Sequence, residues 1–255
     1  MCIYSHDTFN KFMNTLQSFY FQLISFFFPI SCFSCGAVWM YCCKSCMKKS
    51  LPHPELCPLC HLHSPGYRFC SACRSENSIT ISLQGIIVGF LFQWVIQRAI
   101  IALKYGHMFG VVDDLVDIMY YLFLTHVSLS NVYRNNQHNL MISFVPSHRT
   151  RKYLQKWYNQ SELLGRWLAK KLWIWFYDAI QKRSWTRRQT GLSRSQRKQN
   201  LRWVYMLSTT IPSYVTHLII VDDVVSTWST LHELSKEVNT LRPDIQIWWL
   251  CLARK

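Results

Sequence analysis

Four CxxC pairs stand in one short block: Cys32–Cys35, Cys43–Cys46, Cys57–Cys60 and Cys70–Cys73. A CxxC turn presents two thiolates to one tetrahedral cation, and two such turns complete a four-cysteine zinc site. Gaps of 7, 10 and 9 residues separate the pairs, each long enough for a short hairpin. Sequential pairing is the natural one, with Cys32, Cys35, Cys43 and Cys46 on one Zn2+ and Cys57, Cys60, Cys70 and Cys73 on the other. An interleaved cross-brace is also compatible with the spacing. Four thiolates leave no open coordination position, so both sites read as structural. A segment this short and this poor in large apolar residues needs the metal to fold. Cys42 is spare, and His53, His61 and His63 are expected to face solvent.

Nine of the eleven cysteines lie between Cys32 and Cys73. No basic segment and small-residue cleavage site frame the apolar N-terminal stretch as they would a secretory signal. The expectation is therefore a reducing, cytoplasmic setting, where paired cysteines bind metal. Phe12–Ile30 is uncharged and 19 residues long. Phe12, Leu16, Phe19, Leu23 and Phe27 recur at helical spacing among Asn, Gln and Ser. That pattern predicts an amphipathic helix ending at Pro29, docked on the protein, on a partner or on a membrane surface, with a membrane span the alternative that its length allows. The expected organisation is this segment (1–30), a double zinc ribbon (31–75) and a larger domain (76–255).

The larger domain reads as α/β. Helices are expected between Gly85 and Leu124, broken near Gly106–Gly110. Asn139–Val145, His217–Val221 and Asp244–Leu250 read as buried strands. Ser161–Tyr177 reads as a helix capped by Ser161, with Leu163, Leu164, Trp167, Leu168 and Leu172 on one side. Thr230–Thr240 reads as another. Strands alternating with helices predict a parallel sheet with right-handed crossovers. In HLIIVDDVVSTWSTL (217–231) a strand delivers Asp222 and Asp223 to its carboxyl end, where α/β sheets bind ligands. A hydroxyl-rich loop and a helix start follow. Carboxylates can accept from vicinal sugar hydroxyls, while helix-start amides and hydroxyls hold a phosphate. The arrangement suits a ribose 5-phosphate.

The chain's net charge is +15. Between Arg149 and Arg202 fifteen Lys and Arg face two acids, a local net of +13. Such a segment favours phosphate-bearing partners: nucleic acid, a phosphorylated small molecule or an anionic membrane surface.

The 217–231 segment resembles the phosphoribosyl diphosphate (PRPP) motif of type I phosphoribosyltransferases. Together with PISCFSCG (29–36), IIALKYG (100–106), VPSHRTRKYLQKWYNQSELLGRWLAKKL (145–172), RRQTGLSRSQRKQNLRW (187–203) and LCLAR (250–254), it makes the chain similar to the ComF family of competence proteins. The resemblance spans roughly residues 22–255. It implies a double zinc ribbon ahead of a phosphoribosyltransferase-like domain, and a role with single-stranded DNA in natural transformation. Arg151, Lys152, Lys156, Trp157, Arg187, Arg188, Arg194, Arg197 and Lys198 would contact nucleic acid. DNA-uptake machinery at the inner membrane is a further implied partner. The alternative is an active transferase moving phosphoribose from PRPP, with Mg2+, to an acceptor. Asp222 and Asp223 would then be the catalytic acids. Ser226, Thr227, Trp228, Ser229 and Thr230 would hold the 5-phosphate, and Lys104 and Arg149 the diphosphate. The departures from the family share one form. Trp94, Trp157, Trp203 and Trp228 stand where the family has Gly, in a chain with 11 Trp and only 8 Gly. Real divergence and a UGA codon read as Trp in place of Gly both account for this.

Overall fold

The computed structural model describes residues 29–57, 60, 62–76, 83–146, 158–178, 180–182, 205–207, 210–225 and 228–255. The N-terminal amphipathic segment falls outside them, apart from Pro29 and Ile30.

The cysteine block carries two short helices, α1 (Lys44–Lys49) and α2 (Ser71–Glu76). Beyond it come β1 (Leu83–Leu91), α3 (Trp94–Tyr105), α4 (Val111–Thr125), α5 (Val127–Asn136), β2 (Leu140–Phe144), α6 (Gln160–Leu172) and β3 (Trp175–Phe176). A separate two-stranded antiparallel sheet of β4 (Ile180–Lys182) and β5 (Tyr205–Leu207) follows. β6 (His217–Val225), α7 (Trp228–Leu241) and β7 (Gln246–Arg254) complete the chain. Five strands form one sheet in the order β1-β7-β6-β2-β3, and every pairing in it is parallel. This is the α/β class expected.

β6 and β7 lie inside the sheet and are apolar on both faces, as strands covered on both sides must be. Ile219, Val221, Trp248 and Leu250 point into one core, shared with α3–α6 and the first cysteine group. Leu218, Ile220, Ile247 and Trp249 point into the other, shared with α7. The buried Trp249 indole donates from Nε1 to Ser235 Oγ at 3.0 Å.

Three expectations need correction. Residues 85–91 are strand, not helix. Their unbroken apolar run fits either state, and burial on the sheet decides it. A Cβ at Gly89 would lie 2.5 Å from Leu122 Cδ1 and 3.0 Å from Leu252 O, so β1 needs glycine there for α4 to approach. The helix expected over 161–177 ends at Leu172, because Trp173 turns left-handed and β3 follows. Its Leu164, Leu168 and Leu172 are buried, whereas Trp167 is largely exposed. The α6 cap is Asn159 rather than Ser161: Asn159 Oδ1 accepts from Ser161 N at 3.0 Å, and Nδ2 donates to Val145 O at 3.0 Å. Asn159→Ala is expected to cost about 1 kcal/mol, read as a lower denaturant midpoint.

The cysteine block is fastened to the sheet. Leu51–His53 run antiparallel to β1, with His53 N donating to Gly89 O (3.1 Å) and Leu91 N to Leu51 O (3.0 Å). This added backbone covers an edge that would otherwise be open to pairing. His53 is buried, contrary to expectation, and its carbonyl lies 2.6 Å from the Tyr67 hydroxyl. His63 is exposed as expected, and His61 is outside the described residues. Asp114 of α4 accepts from the amides of Tyr41 and Cys42, each at 2.8 Å. Arg98 of α3 donates to Phe33 O at 2.5 Å. Asp114→Ala removes two charge-assisted bonds and is expected to lower stability by about 2 kcal/mol, measured by urea unfolding.

Among the described residues no single helix is long and apolar enough to cross a membrane.

Candidate functional site

The cysteines gather as the sequential pairing requires. Cys32, Cys35, Cys43 and Cys46 form one group and Cys57, Cys60, Cys70 and Cys73 the other, with all sulfurs of a group within 4.8 Å of one another. A tetrahedral Zn–S distance near 2.3 Å places sulfurs about 3.8 Å apart. Cys35 and Cys43 Sγ are 3.5 Å apart, and Cys60 and Cys70 Sγ 3.6 Å. The donor sets therefore fit structural Zn2+. Cys42 is buried among the apolar residues beside the first group rather than turned into it.

The second site lies at the carboxyl ends of the central strands. α6, which follows β2, packs on one face of the sheet, and α7, which follows β6, packs on the other. β2 and β6 are neighbours, so the chain departs in opposite directions between them. That crevice is a topological switch point, where open α/β sheets bind ligands. Asp222 and Asp223 sit on its rim. Ser161, from the first turn of α6, donates its hydroxyl to Asp222 Oδ1 at 2.8 Å across the crevice. Lys104, in the last turn of α3, places Nζ 2.6 Å from Asp223 Oδ2. The N-terminus of α7 follows three residues after β6 ends.

Burial holds the Asp222 carboxyl up at about 7, and the adjacent Asp223 pushes the same way. The Ser161 hydrogen bond and Lys104 oppose the shift without cancelling it. Beneath the acids, Cys251 of β7 stands in register with Asp222. Burial raises its thiol well above the ordinary range, so it is a neutral floor and no nucleophile. Tyr205 of β5 is buried, hydrogen-bonds with the Thr230 side chain, and is pushed up to about 12 chiefly by burial.

The structure thus brings together Asp222, Asp223, Lys104 and Thr230 of the residues expected from sequence. It places the backbone of Trp228 and Ser229 in the first turn of α7. Ser226, Thr227, Arg149, Arg151, Lys152, Lys156, Trp157, Arg187, Arg188, Arg194, Arg197 and Lys198 lie outside the described residues. Ser161 and Tyr205 were not expected in the site. Ser161 reads as a helix cap from sequence, and no local pattern around Tyr205 announces a strand. A separate cavity of about 620 Å3 opens at the opposite end of the sheet, lined by Asp117, Trp167, Lys171, Trp173 and Trp175 among others. It touches none of the acids.

Fold and site define a parallel α/β protein with an acid pair at its switch point, carried behind a module with two four-cysteine groups. Sequence similarity agrees with that make-up. The chain is 28% identical over 218 residues to competence protein F of Haemophilus influenzae, covering 78% of this chain and 90% of that protein. It is 34% identical over 106 residues to DNA utilization protein YhgH of Escherichia coli K12, covering 40% of this chain and 44% of that one. YhgH of Salmonella typhimurium is 35% identical over 104 residues. No protein-family model matches the chain. These similarities support its place in the ComF family.

Proposed function

We propose that the protein serves DNA utilisation in competence, and that its α/β domain binds PRPP or a related phosphosugar at the switch point. The observation carrying the phosphosugar reading is the Asp222–Asp223 pair between Ser161, Lys104 and the start of α7. The two carboxylates accept from the ribose hydroxyls. The first turn of α7, with Thr230, receives the 5-phosphate through amide and hydroxyl donors. Lys104 is the cation nearest the acids among the described residues and balances the diphosphate. Mg2+ arriving with the ligand would find hard oxygen donors of the kind it takes. Calorimetry with PRPP and Mg2+ tests the reading. Saturable heat is expected, and no heat at millimolar ligand would leave the domain a scaffold.

Single-stranded DNA is the proposed macromolecular partner. The names of the relatives and the +13 segment between Arg149 and Arg202 support this reading. A protein neutralising roughly six phosphates loses about 10³ in affinity between roughly 50 and 200 mM salt. A steep fall of this kind is expected in a fluorescence titration, and a flat profile would remove the electrostatic basis of the proposal.

Phosphoribosyl transfer is a second reading, favoured by the near-neutral titration of Asp222. In such a step the anomeric C–O bond to diphosphate breaks, and a nucleophile from the acceptor forms the new bond. Asp222 can take the acceptor's proton once it is ionised. Diphosphate release from PRPP in the presence of candidate acceptors, abolished in Asp222→Asn, is the expected signature.

A further inference from the structure

The backbone marks three tryptophans as misplaced. Five non-glycine residues have positive φ among the described residues, and three of them are Trp39 (φ 76), Trp94 (φ 53) and Trp173 (φ 55). This region crowds Cβ against the backbone, so glycine is its ordinary occupant and a bulky side chain an outlier. The other two have side chains that are engaged. Tyr67 buries its phenol, with the hydroxyl 2.9 Å from Val88 O, and the His107 ring meets Tyr158 edge-on at 5.9 Å. The three indoles instead stand 61%, 65% and 86% exposed.

Each position is also a place where chain geometry requires the left-handed turn. Trp173 follows α6, donating from N to Lys170 O at 3.3 Å, while Ile174 N donates to Ala169 O at 3.0 Å. That pair of bonds is the Schellman motif, whose left-handed residue is usually glycine. Trp94 turns the chain from β1 into α3 within three residues. Trp39 lies in the first cysteine module and has the same φ, 76, as Gly36 there. Trp248 and Trp249 behave oppositely: both are buried in β7, and Trp249 is hydrogen-bonded.

We propose that residues 39, 94 and 173 are glycine in the protein that its own cell makes, each encoded by UGA read as glycine, whereas 248 and 249 are tryptophan encoded by UGG. The excess of Trp over Gly in the chain follows directly. So does a loss of apolar surface: three exposed indoles vanish, and the 620 Å3 cavity loses its Trp173 wall. None of this depends on the phosphosugar reading. One consequence rests on that reading: the same codon at 228 would place glycine at the first residue of α7, where a phosphate must come close to the backbone.

Peptide mass spectrometry of the protein isolated from its source cells, set beside the gene, decides the matter. Glycine at 39, 94 and 173 with tryptophan at 248 and 249 is expected. Tryptophan at the first three overturns the proposal. Recombinant W94G and W173G supply a second readout. Each is expected to raise Tm by relieving the strained backbone, and a fall in both would overturn the assignment as well. PRPP calorimetry on either form reports on the phosphosugar site alone, so the two failures remain distinct.

Discussion

Elemental analysis of the purified protein is expected to return two zinc ions per chain, and stripping them should unfold the cysteine module and destabilise the sheet domain it is fastened to. Structural zinc in small domains supplies apparent binding free energies of about 10–16 kcal/mol, all of it available to folding. The module has little else to hold it, since its buried residues are chiefly the cysteines themselves. The two sites should fail differently. Cys46→Ser empties the first, which is held to α3 and α4 by Arg98 and Asp114. The core beneath that contact should stay folded, with Tm lowered by several degrees. Cys73→Ser empties the second, beside which Leu51–His53 cover the edge of β1. Losing that cover exposes a nine-residue parallel edge strand, so aggregation on warming is expected as well as a lower Tm. Light scattering separates the two variants. A chain that binds no zinc and melts as before would refute the assignment of both groups.

The parts readable from sequence are those whose chemistry is local. CxxC spacing is a statement about one turn, so it located both metal groups, although only the folded chain selects sequential pairing over a cross-brace. His217–Val221 is equally local: a buried strand that ends in two acids puts them at a sheet's carboxyl edge. The rest depended on contacts between distant segments. LQGIIVGFL fits a helix or a strand until β7 pairs with it. Ser161 and Asn159 are two residues apart and both can cap, and Asn159 takes the role because Val145 O accepts its amide while Asp222 takes the Ser161 hydroxyl. His53 lies buried because its backbone serves the β1 edge, which no reading of nearby histidines and cysteines reveals. Trp94 was visible as a departure from the family. Trp39 and Trp173 needed the backbone dihedrals before they joined it.

Asp222→Asn and Asp223→Asn should each weaken PRPP binding by about 100-fold, equivalent to about 2.7 kcal/mol, yet shift stability in opposite directions. Asp222 is the strained member. Its folded pKa of about 7 exceeds the usual value near 3.9, so the folded state holds a proton that the unfolded chain has released. With more protons bound in the folded state, stability falls as pH rises. The contribution is whole below about pH 4, declines up to about pH 7 and is lost above that. Asparagine carries no such penalty, so Asp222→Asn should be the more stable protein at about pH 8, by about 1–3 kcal/mol. Asp223→Asn does the reverse, since it leaves the partly buried Lys104 without the carboxylate 2.6 Å away. Because sugar hydroxyls donate best to an ionised carboxylate, wild-type affinity should also fall about tenfold from about pH 8 to about pH 6, and Asp222→Asn should abolish that slope. Thermal melts and calorimetry across this range provide the check. An Asp222→Asn protein that still binds PRPP as wild type would remove Asp222 from the ligand site.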